Sequence, residues 1–349
     1  LRSCLLHIGT PKTGSTTIQG FLASCLAALA ARGVDVPDLG YPDIVRAHRK
    51  LADGLRGETD PARPATEPWI ALDRRLAETE GDLCLSRETI CQHLAAPPRL
   101  AFVRGFFARR GMRLHVVSYV RDHPSFLSAL YAQHAKNMRM TEEFDAWLER
   151  ILSDPPARLS YRLMFRNLLA ANDLRFTLRP FEAVGGDALV ADFCALLGRP
   201  DIDHSGFDPK PFRNATPGPK AIAAGVLGAR TLAARGVEAY GDPRFAQALE
   251  AVAAERGWSE RPFFGPDETA AARIERRFAA GDDEVARLAW GGRWSDHVSR
   301  APRPRHAMTI ADAPKRDRDE IEDAARDAVD RVLGRSLLQR LGLGRRGGA

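Results

Sequence analysis

The strongest constraint on the fold lies at the N-terminus. A short apolar run, Cys4-Leu5-Leu6-His7-Ile8, is stopped by Gly9 and followed by Thr-Pro-Lys-Thr-Gly over positions 10–14. Then Ile18, Phe21, Leu22, Cys25, Leu26 and Leu29 recur at helical spacing, and Gly33 supplies a stop. This is strand, loop and helix, and the alternation continues. Apolar runs at 83–86, 114–120 and 174–178 read as strands, and helical patterns near 99–110, 125–137, 142–152 and 159–171 lie between and around them. Strands alternating with helices predict an α/β fold with a mainly parallel sheet flanked by helices. Beyond Leu178 the patterns at 187–197, 221–234, 243–256 and 267–280 are helical, so C-terminal helical additions are expected. The expected organisation is an α/β core over 1–215, a helical C-terminal part of the same domain over 216–300, and a linker with a charged helix and tail over 301–349.

Composition removes several function classes. With 44% hydrophobic and 28% charged residues in 349, the chain can bury a large core, which excludes a disordered tail. The formal net charge of +6 permits an anionic ligand. No basic block interleaved with aromatics precedes the tail with Arg345 and Arg346, so no nucleic acid partner is expected. The longest apolar stretch, 21–31, is shorter than the roughly 20 residues a bilayer crossing needs, so no stable membrane insertion is expected. Five cysteines, an odd number set in apolar runs, read as reduced buried thiols, and the expected compartment is cytoplasmic.

The loop after the first strand has the chemistry of an anion cradle. Glycines let backbone N–H groups approach a phosphate, and the first turn of a helix presents unpaired N–H groups to it. Lys12, Thr13, Ser15, Thr16 and Thr17 around Gly14 add a charge and hydroxyl donors. A nucleoside triphosphate loop reads G-x-x-x-x-G-K-[ST]; here Ser15 follows the second glycine and the lysine precedes it. The second feature is the run Val116-Val117-Ser118-Tyr119-Val120-Arg121, which delivers a guanidinium at the carboxyl end of a strand, where α/β folds place ligands. A planar guanidinium suits a phosphate dianion.

The arrangement P-K-T-G-S-T-T resembles the 5′-phosphosulfate loop of sulfotransferases that use 3′-phosphoadenosine 5′-phosphosulfate (PAPS). Arg121 with a serine about two turns later resembles their 3′-phosphate motif. Phe126, Leu127, Tyr131 and Gln133 keep the frame seen in many bacterial members, but Ala129 takes the usual serine place and Ser128 sits one position early. Weaker similarity covers 178–198, the Asn-centred stretch Arg213-Asn214-Ala215-Thr216-Pro217, and 274–289, so the resemblance spans about 4–290.

The resemblance implies a P-loop-like PAPS-binding core and sulfuryl transfer to a hydroxyl of a carbohydrate, lipid or small-molecule acceptor, with no metal required. Lys12 is the expected cation at the departing phosphate oxygen. Glu88, at the end of the second long strand, is the first candidate base, and His48 the second. Lys12, Thr13, Gly14, Ser15, Thr16, Thr17, Arg121 and Ser128 are the expected co-substrate contacts. The alternatives are a P-loop kinase or NTPase, which the lysine position disfavours, and a non-catalytic PAPS-binding protein.

Overall fold

In the computed structural model, which describes residues 2–39, 47–186, 188–210, 216–239, 242–258 and 261–340, the N-terminal run forms β1, Ser3–His7. The periodic stretch after it is two helices, α1 (Ser15–Ser24) and α2 (Leu26–Ala31), because the backbone turns out of helical geometry at Cys25. The chain continues through β2 (Val34–Asp35), α3 (Arg49–Gly54), α4 (Glu67–Glu78), β3 (Asp82–Ser86), α5 (Ile90–Leu94) and α6 (Pro97–Arg109). Next come β4 (Arg113–Val120), α7 (His123–Lys136), α8 (Phe144–Ser153), α9 (Tyr161–Leu169), β5 (Arg175–Pro180), α10 (Phe181–Val184) and α11 (Ala188–Leu196). The chain ends in helices α12 (Pro219–Ala234), α13 (Pro243–Glu255), α14 (Glu268–Ala289) and α15 (Lys315–Arg340). The Asn-centred positions 213–215, Asp187, and the tail with Arg345 and Arg346 lie outside the described residues.

The chain divides into two compact units, the first made of 1–122, 155–214 and 276–300, the second of 123–154, 215–275 and 301–349. The first unit therefore takes up residues on both sides of position 215, and the second takes 123–154 from within the expected core.

The first unit carries a five-stranded, all-parallel sheet in the order β2-β3-β1-β4-β5, flanked by helices. Leu5 and His7 of β1, Cys84 of β3, and Val117 and Tyr119 of β4 share one face. There Phe21 and Leu22 of α1 and Leu189 and Phe193 of α11 close a buried core. On the other face Leu6, Leu85 and Val116 are buried, and α6 packs against β4. Behind α6, Trp69 of α4 meets Phe102 and Phe106 edge-on with ring centroids 5.0 Å apart. The strand order turns at β1: β2 and β3 lie to one side, and β4 and β5 to the other. In open α/β sheets the carboxyl ends of the strands at such a turn form a crevice for ligands.

The second unit is a packing of α7, α12, α13 and α15. The segment 301–314, expected as a linker, is fastened within this unit: His306 pairs with Phe264, and the Ile310 N–H donates to Glu143. All five cysteines are free thiols; four are buried and Cys25 is half-buried. Among the described residues no helix is long and apolar enough to cross a membrane.

Candidate functional site

The loop between β1 and α1 is shaped by hydrogen bonds to the sheet and by left-handed backbone. Thr10 Oγ1 donates to the Tyr119 carbonyl at 2.6 Å, and Thr13 Oγ1 donates to the Thr10 carbonyl at 2.7 Å. These bonds hold the start of the loop against the end of β4. Lys12 adopts φ 69°, a conformation uncommon in residues with a side chain, and so marks a local strain of the kind found at functional sites. Gly14 follows at φ 76° as the N-cap of α1, and a Cβ there would meet Leu189 Cδ2 at 2.3 Å and Phe181 Cε2 at 3.1 Å. No side chain caps α1, so its first-turn N–H groups are left available to a ligand.

The inner wall of the loop is polar. His7 is buried, and its Nδ1 lies 2.8 Å from Ser86 Oγ, its neighbour in register on β3. The other ring nitrogen, Nε2, is buried without a hydrogen-bond partner, and so is Ser15 Oγ. Both atoms pack against Gly9: a Cβ there would lie 2.6 Å from Ser15 Oγ, closer than a side chain can come, and 3.2 Å from His7 Nε2. Buried orphan polar atoms are rare in folded proteins and point to a missing partner.

Arg121 follows directly on the end of β4. Its Nη1 donates to the Lys12 main-chain carbonyl at 3.2 Å, its Nε donates to Glu182 Oε1 at 3.3 Å, and the guanidinium sits 5.5 Å from the centre of the Phe181 ring. Phe181 thus borders both Gly14 and Arg121. The Tyr161 hydroxyl accepts from the Arg121 N–H at 3.4 Å and donates to the Arg121 carbonyl at 3.0 Å. Burial holds the Glu182 carboxyl above its ordinary range, with Arg121 drawing it down and Asp122 pushing it up.

Glu88 stands two residues beyond the end of β3 and is half-buried. Burial pushes its carboxyl above the usual range, while Arg87, then Lys12, then the adjacent Ser15 hydroxyl favour the carboxylate. That hydroxyl lies beside the carboxyl without closing a bond of standard geometry. A carboxyl raised by burial is a stronger base than an exposed one, while Arg87 and Lys12 hold it partly in check.

Lys12, Ser15, Glu88 and Arg121 are therefore gathered at the carboxyl edge of one sheet. His48 is engaged elsewhere. Its Nδ1 accepts from the Ser86 N–H at 3.0 Å and its Nε2 lies 3.1 Å from the Pro37 carbonyl, so one ring nitrogen ties the chain to β3 and the other to the segment after β2. Ser128 belongs to the second unit, where its hydroxyl accepts from the Gly265 N–H at 3.1 Å.

His7, Ser86, Tyr161 and Glu182 were not among the sequence candidates. His7 carried one signal, a lone imidazole in an apolar strand two residues before the glycine of the loop. Tyr161 and Glu182 carried none, since only the fold brings them to Arg121. No protein-family model matches the chain, and no curated protein or solved structure matches it either.

Proposed function

We propose that the protein is a sulfotransferase that moves a sulfuryl group from PAPS to a hydroxyl of a carbohydrate, lipid or small-molecule acceptor, in a P-loop-like fold. The observation that carries this reading is the gathering of a partnerless polar cradle, a strand-end arginine tied to the same loop, and a burial-raised carboxylate on one sheet edge. The cradle fits a tetrahedral oxyanion, because the α1 N-terminus, His7 Nε2 and Ser15 Oγ all lack partners there.

PAPS would supply an activated sulfuryl group on a phosphate leaving group. In that role Glu88 takes the hydroxyl proton of the acceptor as its oxygen bonds to sulfur. Lys12 and the α1 N–H groups then meet the negative charge left on the phosphate oxygen when the S–O bond breaks. Arg121 holds the second phosphate of the nucleotide as a charged donor. The Ser128 hydroxyl accepts from the Gly265 N–H, a role that leaves its own O–H to donate.

A kinase or NTPase would want its lysine directly after the second glycine, where Ser15 stands. The test is a thermal-shift comparison of PAPS, its product adenosine 3′,5′-bisphosphate (PAP), ATP and GTP, with and without magnesium. PAP at a hundredfold excess over its Kd stabilises the fold by about 2.7 kcal/mol without magnesium. Stabilisation by magnesium ATP alone transfers the site to the kinase class. Turnover of labelled PAPS with an acceptor panel then separates an enzyme from a binding protein.

A further inference from the structure

The buried imidazole beneath the loop has a place in no step above. His7 is fully enclosed between Tyr119 and Phe193, whose ring centroids each lie 5.8 Å from its own. Such a site would ordinarily be filled by an apolar side chain, and an imidazole there must satisfy two nitrogens. One is satisfied by Ser86 Oγ at 2.8 Å; the other is buried against Gly9, on the side of the loop where Ser15 Oγ also lies, and has no partner.

We propose that His7 is the floor of the anion cradle, an uncharged donor whose Nε2–H binds an oxygen of the phosphate or sulfate group held by the loop, with the Ser86 hydroxyl fixing that tautomer. The inference rests on the anion-cradle part of the proposed function. Two tautomers are open to a neutral imidazole. If Nδ1 carried the proton and gave it to Ser86, the Nε2 lone pair would face a negatively charged oxygen. If instead the Ser86 hydroxyl donates to Nδ1, the proton sits on Nε2 and is aimed into the cradle. An anion selects the second arrangement. Burial keeps the ring neutral, with its pKa lowered to about 3, so the donor works without adding a charge beneath the strand. His7 is thus a binding residue that acts on the group in the loop, and Ser86 is a positioning residue that acts through it.

The test uses the full chain with 15N-labelled histidine and reads the ring nitrogens of His7 by long-range proton–nitrogen NMR, the signal being assigned by its loss in H7Q. Inorganic pyrophosphate and PAP are added in separate arms. With pyrophosphate, Nε2 is expected to be protonated and Nδ1 bare, and the Nε2 resonance moves on binding. Ser86→Ala keeps the ring, mixes the tautomers and weakens pyrophosphate by about threefold to tenfold. An unprotonated Nε2 with the anion bound, a resonance that does not move, or an S86A protein that binds as the wild type overturns the role of His7. A His7 response to pyrophosphate with PAP binding no tighter leaves that role standing and removes the sulfonucleotide reading. Tight PAP binding with an unresponsive His7 does the reverse, and failure of both anions to bind removes both.

Discussion

Arg121 Nη1 donates to the main-chain carbonyl of Lys12 at 3.2 Å, and that carbonyl is turned toward it by a left-handed residue. The guanidinium at the end of β4 and the loop after β1 are thereby one structural unit, although 109 positions separate them in the chain.

Arg121→Ala removes a charged donor and a tie to the loop together. PAP affinity is expected to fall by about tenfold to a hundredfold, corresponding to the roughly 1.5–3 kcal/mol of a charge-assisted hydrogen bond. Adenosine 5′-phosphosulfate, which lacks the 3′-phosphate, should lose less but not be spared, because the Lys12 backbone is freed as well. Calorimetric titration of both nucleotides decides the matter: equal losses would make Arg121 a support of the loop alone.

The proposed mechanism gives Lys12 and Glu88 different duties, and their variants should separate them. Lys12→Ala lowers turnover more than it lowers PAP affinity, since the product keeps its backbone cradle. Glu88→Gln lowers turnover about a hundredfold with PAP affinity nearly unchanged. The same variant should be more heat-stable than the wild type at pH 8. A carboxyl whose folded pKa is raised takes up a proton on folding, so its stability penalty is complete above the folded pKa and vanishes below the ordinary value near 4.5. The gap in melting temperature between the two proteins should therefore close on acidification toward pH 4; wild-type turnover in Glu88→Gln would remove Glu88 from the mechanism.

Acid should loosen the first unit through His7. Its folded pKa of about 3 lies below the ordinary 6.5, so the unfolded chain binds the proton and folding does not. Stability from this group is complete above about pH 6.5 and is lost as pH falls toward 3, at up to about 1.4 kcal/mol per pH unit. Urea titrations of wild type and H7Q across that range should show the slope in the first and a shallower one in the second. Parallel slopes would mean that His7 is not the group responsible.

Two glycines of the loop should fail in different ways. Gly14→Ala drives a Cβ into Leu189 and Phe181 from a left-handed backbone, so the cost is to the fold: about 2 kcal/mol or more by denaturant titration. Gly9→Ala, at φ 35°, instead pushes a Cβ against Ser15 Oγ and His7 Nε2 and displaces the polar groups of the loop. It should abolish the thermal shift given by PAP. A Gly9→Ala protein that still answers to PAP would place the nucleotide elsewhere.

The long strands and most helices were legible because their apolar periodicity is strong, and the loop because its residue types have few other uses. The stop at Gly33, which adopts φ 72° just past α2, was legible, but the break at Cys25 was not, since Cys25, Leu26 and Leu29 continue the apolar pattern across it. The two-residue β2 is too short to leave any pattern. Within the site, Lys12, Ser15, Glu88 and Arg121 could be named from local sequence, because each lies at the end of a strand or the start of a helix. Glu182 and Tyr161 could not, because their meaning comes from packing 61 and 40 positions away from Arg121. Ser128 was named from its place in a motif, while the bond its oxygen accepts from the Gly265 N–H, 137 positions away, is visible only in the fold.

Tyr161 bears on how quickly and how cheaply a ligand can be held. Its hydroxyl uses both its donor and its acceptor on the main chain of Arg121, and its ring is clasped between Phe165 and Trp294 at centroid distances of 6.1 and 5.5 Å. The peptide groups on either side of Arg121 are thus held before anything binds, and its side chain already rests on the Lys12 carbonyl and Glu182. A guanidinium mounted in this way loses little entropy when it closes on an anion, so more of the attraction remains as affinity.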